Sequence, residues 1–281
     1  MAQRLGAVEA GGTKFRVALF SDGDIVEEHR IPTAVPDITL PAVRAHLASW
    51  APEAIGIAAF GPISLDGDRR GVMGSTPKPG WPGADLIAEL DVGVPMGIDT
   101  DVGAAAIAEL DRGAGRDVES LCYVTVGTGL GVAFADPTGS HRGHGHSEVG
   151  HVPVRRDPSD TFAGVCPYHG ACLEGMASGR ALTERKAGGQ PDATVLVAGY
   201  LGQLVAVLTY TFAPHRVVFG GGAMLEPGLL EAIRERTAAE LAGYSTSPGT
   251  VSDDAYVVDA LLGQDAGLVG AYLLADGVSR T

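Results

Sequence analysis

Positive charge is scarce: the 281 residues hold 20 Lys and Arg against 34 Asp and Glu, a formal net charge of −14. Nucleic acids and anionic membrane surfaces both demand a basic face, so neither partner is expected. Cysteine is sparse too. Three of them, an odd number, do not make a disulfide framework. No run attains the roughly 18 apolar residues of a membrane span. The longest, Leu201 to Phe212, is interrupted by Gln203 and stops at Pro214. Arg4 and Glu9 follow Met1 with no apolar stretch between them, so no secretory leader is expected. A cytoplasmic protein is the expectation.

Glycine is plentiful, at 41 residues, while hydrophobic residues at 45 % and charged ones at 19 % are ordinary for a globular chain. The order of elements is informative. Arg4–Ala10 reads as a strand, Gly11 to Lys14 as a turn, Phe15–Phe20 as a second strand, and Ile25–Ile31 as a third. A helix from about Leu40 to Ser49, a buried strand Ala54–Phe60, a helix Ala84–Leu90, a short strand Met96–Ile98 and an alanine-rich helix Val102–Leu110 follow. The pattern then restarts with strand Ser120–Val126, turn Gly127-Thr128-Gly129 and strand Leu130–Phe134. Helices are expected at Leu173–Ala187, Thr194–Phe212, Leu229–Ala242 and Gly263–Ala275, with a strand at Arg216–Phe219. Seen twice, this order predicts a duplicated α/β architecture of two lobes with a cleft between them. The expected lobes are residues 1–115 and 116–281, divided in the Gly-rich link Gly113–Asp117, with the last helix able to pack on the first lobe.

Three glycine turns suggest a nucleotide. Gly11-Gly12-Thr13-Lys14 lies between two strands, which is neither the P-loop nor the dinucleotide-fold context, and Gly-Gly alone is an ordinary hairpin turn. Thr13 and Lys14 add a hydroxyl and an ammonium, and Gly127-Thr128-Gly129 repeats the device in the second half. Amides without a Cβ admit a phosphate closely. Gly220-Gly221-Gly222, closing a strand, leaves room for a flat base. The expected ATP-binding set is Gly11, Gly12, Thr13, Lys14, Thr128, Gly129, Pro214, Gly220, Gly221 and Gly222.

Val8-Glu9-Ala10-Gly11-Gly12-Thr13-Lys14, Asp99-Thr100-Asp101-Val102, Val126-Gly127-Thr128-Gly129 and Glu148-Val149-Gly150-His151 resemble the signatures of the ROK family of sugar kinases and repressors. Ser75 to Trp81 and Cys166 to Cys172 resemble its bacterial fructokinase branch. The resemblance runs from Gly6 to about Gly270. It implies the actin-like ATPase (ribonuclease H-like) fold, ATP with Mg²⁺, and transfer of the γ-phosphoryl group to a free hexose, with fructose favoured. Glucose, mannose or N-acetylmannosamine are the alternatives within kinases, and a homodimer is possible, as relatives are often dimers. A sugar-responsive repressor needs an N-terminal pair of DNA-binding helices, for which a first strand at Arg4 leaves no room. A non-catalytic sugar-binding protein is opposed by Lys14, Asp101 and Thr128.

Phosphoryl transfer needs a group that orients and deprotonates the attacking hydroxyl. Asp101 opens a helix just after a strand, which suits either an N-cap or such a base. It matches the family's catalytic Asp. Two departures stand out: Gly103 where relatives usually carry Asn, and Glu9 where many carry Asp. Cys166-x-x-His169-x-x-Cys172, preceded by His151, suits a tetrahedral structural Zn²⁺. The resemblance gives Glu148, His151 and Glu174 to the sugar hydroxyls, His151 serving both metal and sugar. His141, His144 and His146 are weaker alternative ligands, and Cys122 reads as a packed apolar residue. By the same resemblance the Lys78 loop faces the sugar, Gly61 belongs to a close-approach loop beneath it, and Lys78 with Thr100 favours fructose.

Overall fold

The computed structural model describes residues 2–143, 145–244 and 254–280. The strands are β1 (Arg4–Ala10), β2 (Lys14–Ser21), β3 (Asp24–Pro32), β4 (Ala54–Ala59), β5 (Met96–Thr100), β6 (Leu121–Val126), β7 (Leu130–Asp136), β8 (Gly139–Ser140), β9 (Arg216–Gly220) and β10 (Val257–Asp259). The helices are α1 (Pro36–Trp50), α2 (Leu86–Leu90), α3 (Asp101–Asp111), α4 (Leu173–Ala177), α5 (Gly179–Ala187), α6 (Ala193–Phe212), α7 (Leu229–Leu241) and α8 (Ala266–Ser279). They form two compact units. The first holds Met1–Ala108, Ser140–His146 and Gln264–Thr281; the second holds Glu109–Gly139 and Ser147–Gly263.

Each unit is built on a five-stranded sheet, in the order β3-β2-β1-β4-β5 and β8-β7-β6-β9-β10. The two orders match strand for strand, so the restart in the sequence is a restart of one topology. In the first sheet β1 and β2 are antiparallel, while β1, β4 and β5 run parallel with Ala10, Ala59 and Thr100 in one row. In the second, β6 and β7 are antiparallel, and β6, β9 and β10 are parallel. Parallel strands offer their carboxyl ends on one edge, where α/β sheets bind ligands. In the first unit that edge gathers the turns after Ala10, Ala59 and Thr100. In the second it gathers those after Val126 and Gly220.

The first sheet is covered on one side by α1 and α2, with Leu40, Val43, Leu47, Trp50, Leu86 and Leu90 buried, and on the other by α8. There α8 comes so close that a Cβ on Gly56 would stand 1.8 Å from the Ala271 carbonyl oxygen. The second sheet packs on α4 and α6. Among the described residues α6 is the one helix long and apolar enough to cross a bilayer, and most of it is buried in the core of its own unit.

Local chemistry explains the differences from expectation. Pro36 at the start of α1 and Asp37 in its first turn begin that helix four residues early. The helix expected across Leu173–Ala187 is two helices. Ser178 breaks it, extended at φ −67°, ψ 164°, and its hydroxyl accepts from the Ala181 N–H to cap α5. The short edge strands β8 and β10 carry too few residues for an alternating pattern to show.

Candidate functional site

In the first unit the turn after β1 is a tight hairpin in which the Gly11 N–H donates to the Lys14 carbonyl at 3.1 Å. Thr13 and Lys14 stand exposed at its tip. A Cβ on Gly11 would meet that carbonyl oxygen at 2.6 Å, so the close turn requires glycine there. Lys78 lies over Gly12, its Cε 3.2 Å from where a Cβ would sit. The residue assigned to the sugar loop is thus packed on the glycine hairpin. Trp81 anchors that loop, stacked on Phe15 at 5.6 Å with its indole N–H donating to the Ala34 carbonyl at 2.9 Å.

The β5–α3 junction separates the two roles open to Asp101. The Thr100 hydroxyl accepts from the Gly103 N–H at 2.9 Å and is the cap of the helix. Thr100 is buried, and that oxygen is engaged by the backbone. The half-buried Asp101 carboxylate accepts from its neighbour's Val102 N–H at 2.9 Å. Burial pushes its pKa up to about 6; the nearby Glu9 charge raises it further, while the Val102 N–H and His146 oppose the rise. A carboxylate tuned this way is poised near neutrality.

The Gly103 departure has a local cause. A Cβ there would stand 2.5 Å from Asp99 Oδ1, so the buried Asp99 carboxylate fills the space. Asp99 accepts from the Thr100 N–H at 2.7 Å and from the Ser140 hydroxyl. Its pKa is raised, chiefly by burial. Glu9, next to last in β1, pairs with Arg16 at 3.3 Å, and Arg16 also binds Glu28 at 2.9 Å, Asp265 at 2.8 Å and the Gln264 carbonyl at 2.8 Å. Burial raises the Glu9 pKa in spite of that partner.

In the second unit the Gly127–Gly129 turn closes with the Gly127 N–H donating to the Gly129 carbonyl at 2.9 Å. The Gly127 carbonyl accepts from the Gly179 N–H at 2.8 Å, which fixes α5 to the turn. A cavity of about 650 Å³ opens here, lined by Gly127, Thr128, Gly179, Arg180, Thr183, Lys186, Gly222, Ala223, Leu225 and Glu226. At its wall Lys186 pairs with Glu226 at 2.5 Å, and the Thr194 hydroxyl donates to Glu226 at 3.0 Å. Thr128 and Gly222 of the expected nucleotide set line this cavity. Gly220 and Gly221 pack beneath it: a Cβ on Gly220 would stand 2.2 Å from the Tyr123 hydroxyl, and one on Gly221 2.5 Å from the Val126 carbonyl. Pro214 is not brought to it, since it precedes β9 and lies at the opposite end of that strand. The α5 wall was missed because its face appears only once the helix is split at Ser178.

Glu174 on α4 accepts from the Leu130 N–H at 3.1 Å, and a Cβ on Gly129 would meet its carboxylate at 2.6 Å. His151 Nδ1 lies 3.7 Å from Cys166 Sγ and 3.6 Å from Cys172 Sγ, and His169 Nδ1 lies 3.8 Å from Cys166 Sγ. The four ligand atoms stand within 4.8 Å of one another, the one such group among the described residues. Tetrahedral zinc with Zn–S of about 2.3 Å and Zn–N of about 2.0 Å places its ligands under ~4 Å apart, as the three His–Cys distances of 3.6, 3.7 and 3.8 Å are, so this set fits a zinc ion. His151 turns Nδ1 to the thiols and Nε2 toward Glu148, 4.0 Å away. His141 lies outside this group and His144 outside the described residues. His146 belongs to the first unit. Cys122 is buried in the core of the second sheet, its thiol pKa pushed up to about 12.

The model of the ROK family matches residues 5–195 and 189–278. The chain belongs to the ROK family. It is 38% identical over 287 residues to a fructokinase of Pediococcus pentosaceus, covering 98% of this chain and 99% of that protein. Its fold is similar to that of a ROK hexokinase from Thermus thermophilus, with a TM-score of 0.80, 28% identity and 99% of both chains covered. A ROK glucokinase from Streptomyces griseus, solved with glucose and AMPPNP, aligns with a TM-score of 0.75 at 26% identity, covering 98% of this chain and 99% of that one.

Proposed function

We propose that this ROK protein is an ATP-dependent hexose kinase that phosphorylates D-fructose to D-fructose 6-phosphate. The observation that carries the reading is Asp101, a carboxylate held at the carboxyl ends of three parallel strands with its pKa pushed up to about 6. Thr100 relieves it of capping duty. The match to a fructokinase at 38% identity over nearly the whole chain favours fructose over glucose.

Asp101 accepts the proton of the attacking hydroxyl, work for which a positioned base is worth about 10² to 10⁴ in rate. MgATP is the co-substrate. Thr128 and Gly222 hold the nucleotide in the cavity of the second unit, with the base on the α5 and Ala223–Leu225 walls. Gly11, Gly12, Thr13 and Lys14 of the first unit present amides, a hydroxyl and an ammonium suited to phosphate. Glu148, His151 and Glu174 go to sugar hydroxyls. His151, Cys166, His169 and Cys172 hold zinc as a structural staple, fixing the segment that carries Glu148 to the start of α4.

Purified protein should release ADP from ATP fastest with fructose, slower with glucose and mannose, and carry about one zinc per chain. No ADP release with any of these hexoses sinks the kinase reading; glucose or mannose winning sinks the choice of fructose.

A further inference from the structure

The segment Ser140–His146 leaves the second sheet and belongs to the first unit. Its first residue is tethered, as the Ser140 hydroxyl donates to the buried Asp99 carboxylate at the end of β5. Its last, His146, lies over the turn after β4: a Cβ on Gly61 would sit 3.4 Å from Nε2 and 3.8 Å from Cε1 of the imidazole. Gly61 is exposed and His146 half-buried. A ring laid over an exposed glycine, in van der Waals reach of a Cβ at 61 and at the edge where Asp101 stands, lines a place for ligand. The charge of His146 also acts on both Asp99 and Asp101. Meanwhile Gly103 offers no side chain, since Asp99 occupies that space. Gly103 thus brings no polar side chain to this edge, and the Ser140–His146 segment brings an imidazole.

We propose that His146 is a sugar-positioning residue, its imidazole lying over Gly61 and hydrogen-bonding a hydroxyl of the hexose whose reacting hydroxyl is held at Asp101. This rests on the kinase reading above. His146 adds binding in the ground state and the transition state alike, so its loss falls on KM for the sugar.

The test compares His146→Ala and His146→Gln with the wild type in steady-state kinetics for fructose and for ATP, with melting temperature measured on each. The inference expects fructose KM to rise about tenfold in His146→Ala. It expects kcat within about threefold, ATP KM and melting temperature unchanged, and partial recovery in His146→Gln, whose amide still donates. Fructose KM within twofold of wild type in both variants overturns it. So does a large fall in kcat at constant KM, which assigns the imidazole to the chemical step, or a joint loss of melting temperature and ATP affinity, which makes the segment merely structural. Wild-type protein inactive on every hexose instead removes the kinase reading and is seen before any variant is made.

Discussion

Asp101 in the first unit and Asp160 in the second are both withdrawn from water, and they end in opposite states. Burial works to raise each pKa. At Asp160 it is outweighed: Arg185 reaches both carboxylate oxygens at 2.8 Å, the Tyr200 hydroxyl donates at 2.7 Å and the Phe162 N–H at 3.0 Å. Its pKa is pulled well below the usual carboxylate range. At Asp101 backbone N–H groups and the charge of His146 are set against burial and the Glu9 charge, with no cation among the described residues paired to the carboxylate, and the pKa goes up to about 6. A carboxylate with every oxygen satisfied by a cation staples elements together. One left short of partners is ready to take a proton.

Substitution should separate the two roles. Asp101→Asn keeps an oxygen for the Val102 N–H but has no base, so turnover with fructose should fall about 10²- to 10⁴-fold. The same change should stabilise the fold at neutral pH. A raised carboxylate pKa means that the folded state binds the proton more tightly, so stability is gained as pH falls through about 6 and is forfeited above it. An amide removes that loss, on the order of 1–3 kcal/mol, visible as a melting temperature a few degrees higher. Wild-type turnover in this variant refutes the base.

Asp160→Ala should do the reverse. It strands the Arg185 guanidinium, whose side chain is 0% exposed, and should cost about 3–5 kcal/mol in chemical denaturation. If it folds, kcat should stay near wild type. The smallest effect is expected at Lys186→Ala. Its pair with Glu226 is part exposed, worth under about 1 kcal/mol, so ATP KM should rise about fivefold at most with fructose KM unchanged. A shift in fructose KM alone would remove Lys186 from the nucleotide.

What was legible in the sequence was whatever a short stretch of chain carries by itself. The hairpins at Gly11 and Gly127 each lie between two apolar runs, the Cys166–His169–Cys172 spacing is set within one loop, and Asp101 follows a strand directly. What was illegible depends on how distant stretches meet. Nothing in Ser140 marks it as the partner of Asp99, forty-one positions away. Gly103 reads as a defect until Asp99 is seen filling its space. The split of the expected helix Leu173–Ala187 at Ser178 was likewise hidden, a break made by one hydroxyl and one backbone angle. Pro214 is not among the residues lining the cavity of the second unit, and it lies before the amino end of β9 while Gly222 follows its carboxyl end.

The difference between the two aspartates is tested most directly by the pH dependence of kcat/KM for fructose, which reports ionisations of the free enzyme. With Asp101 as base, the rate should drop tenfold per pH unit below an inflection near 6. A profile flat down to pH 5 would contradict it.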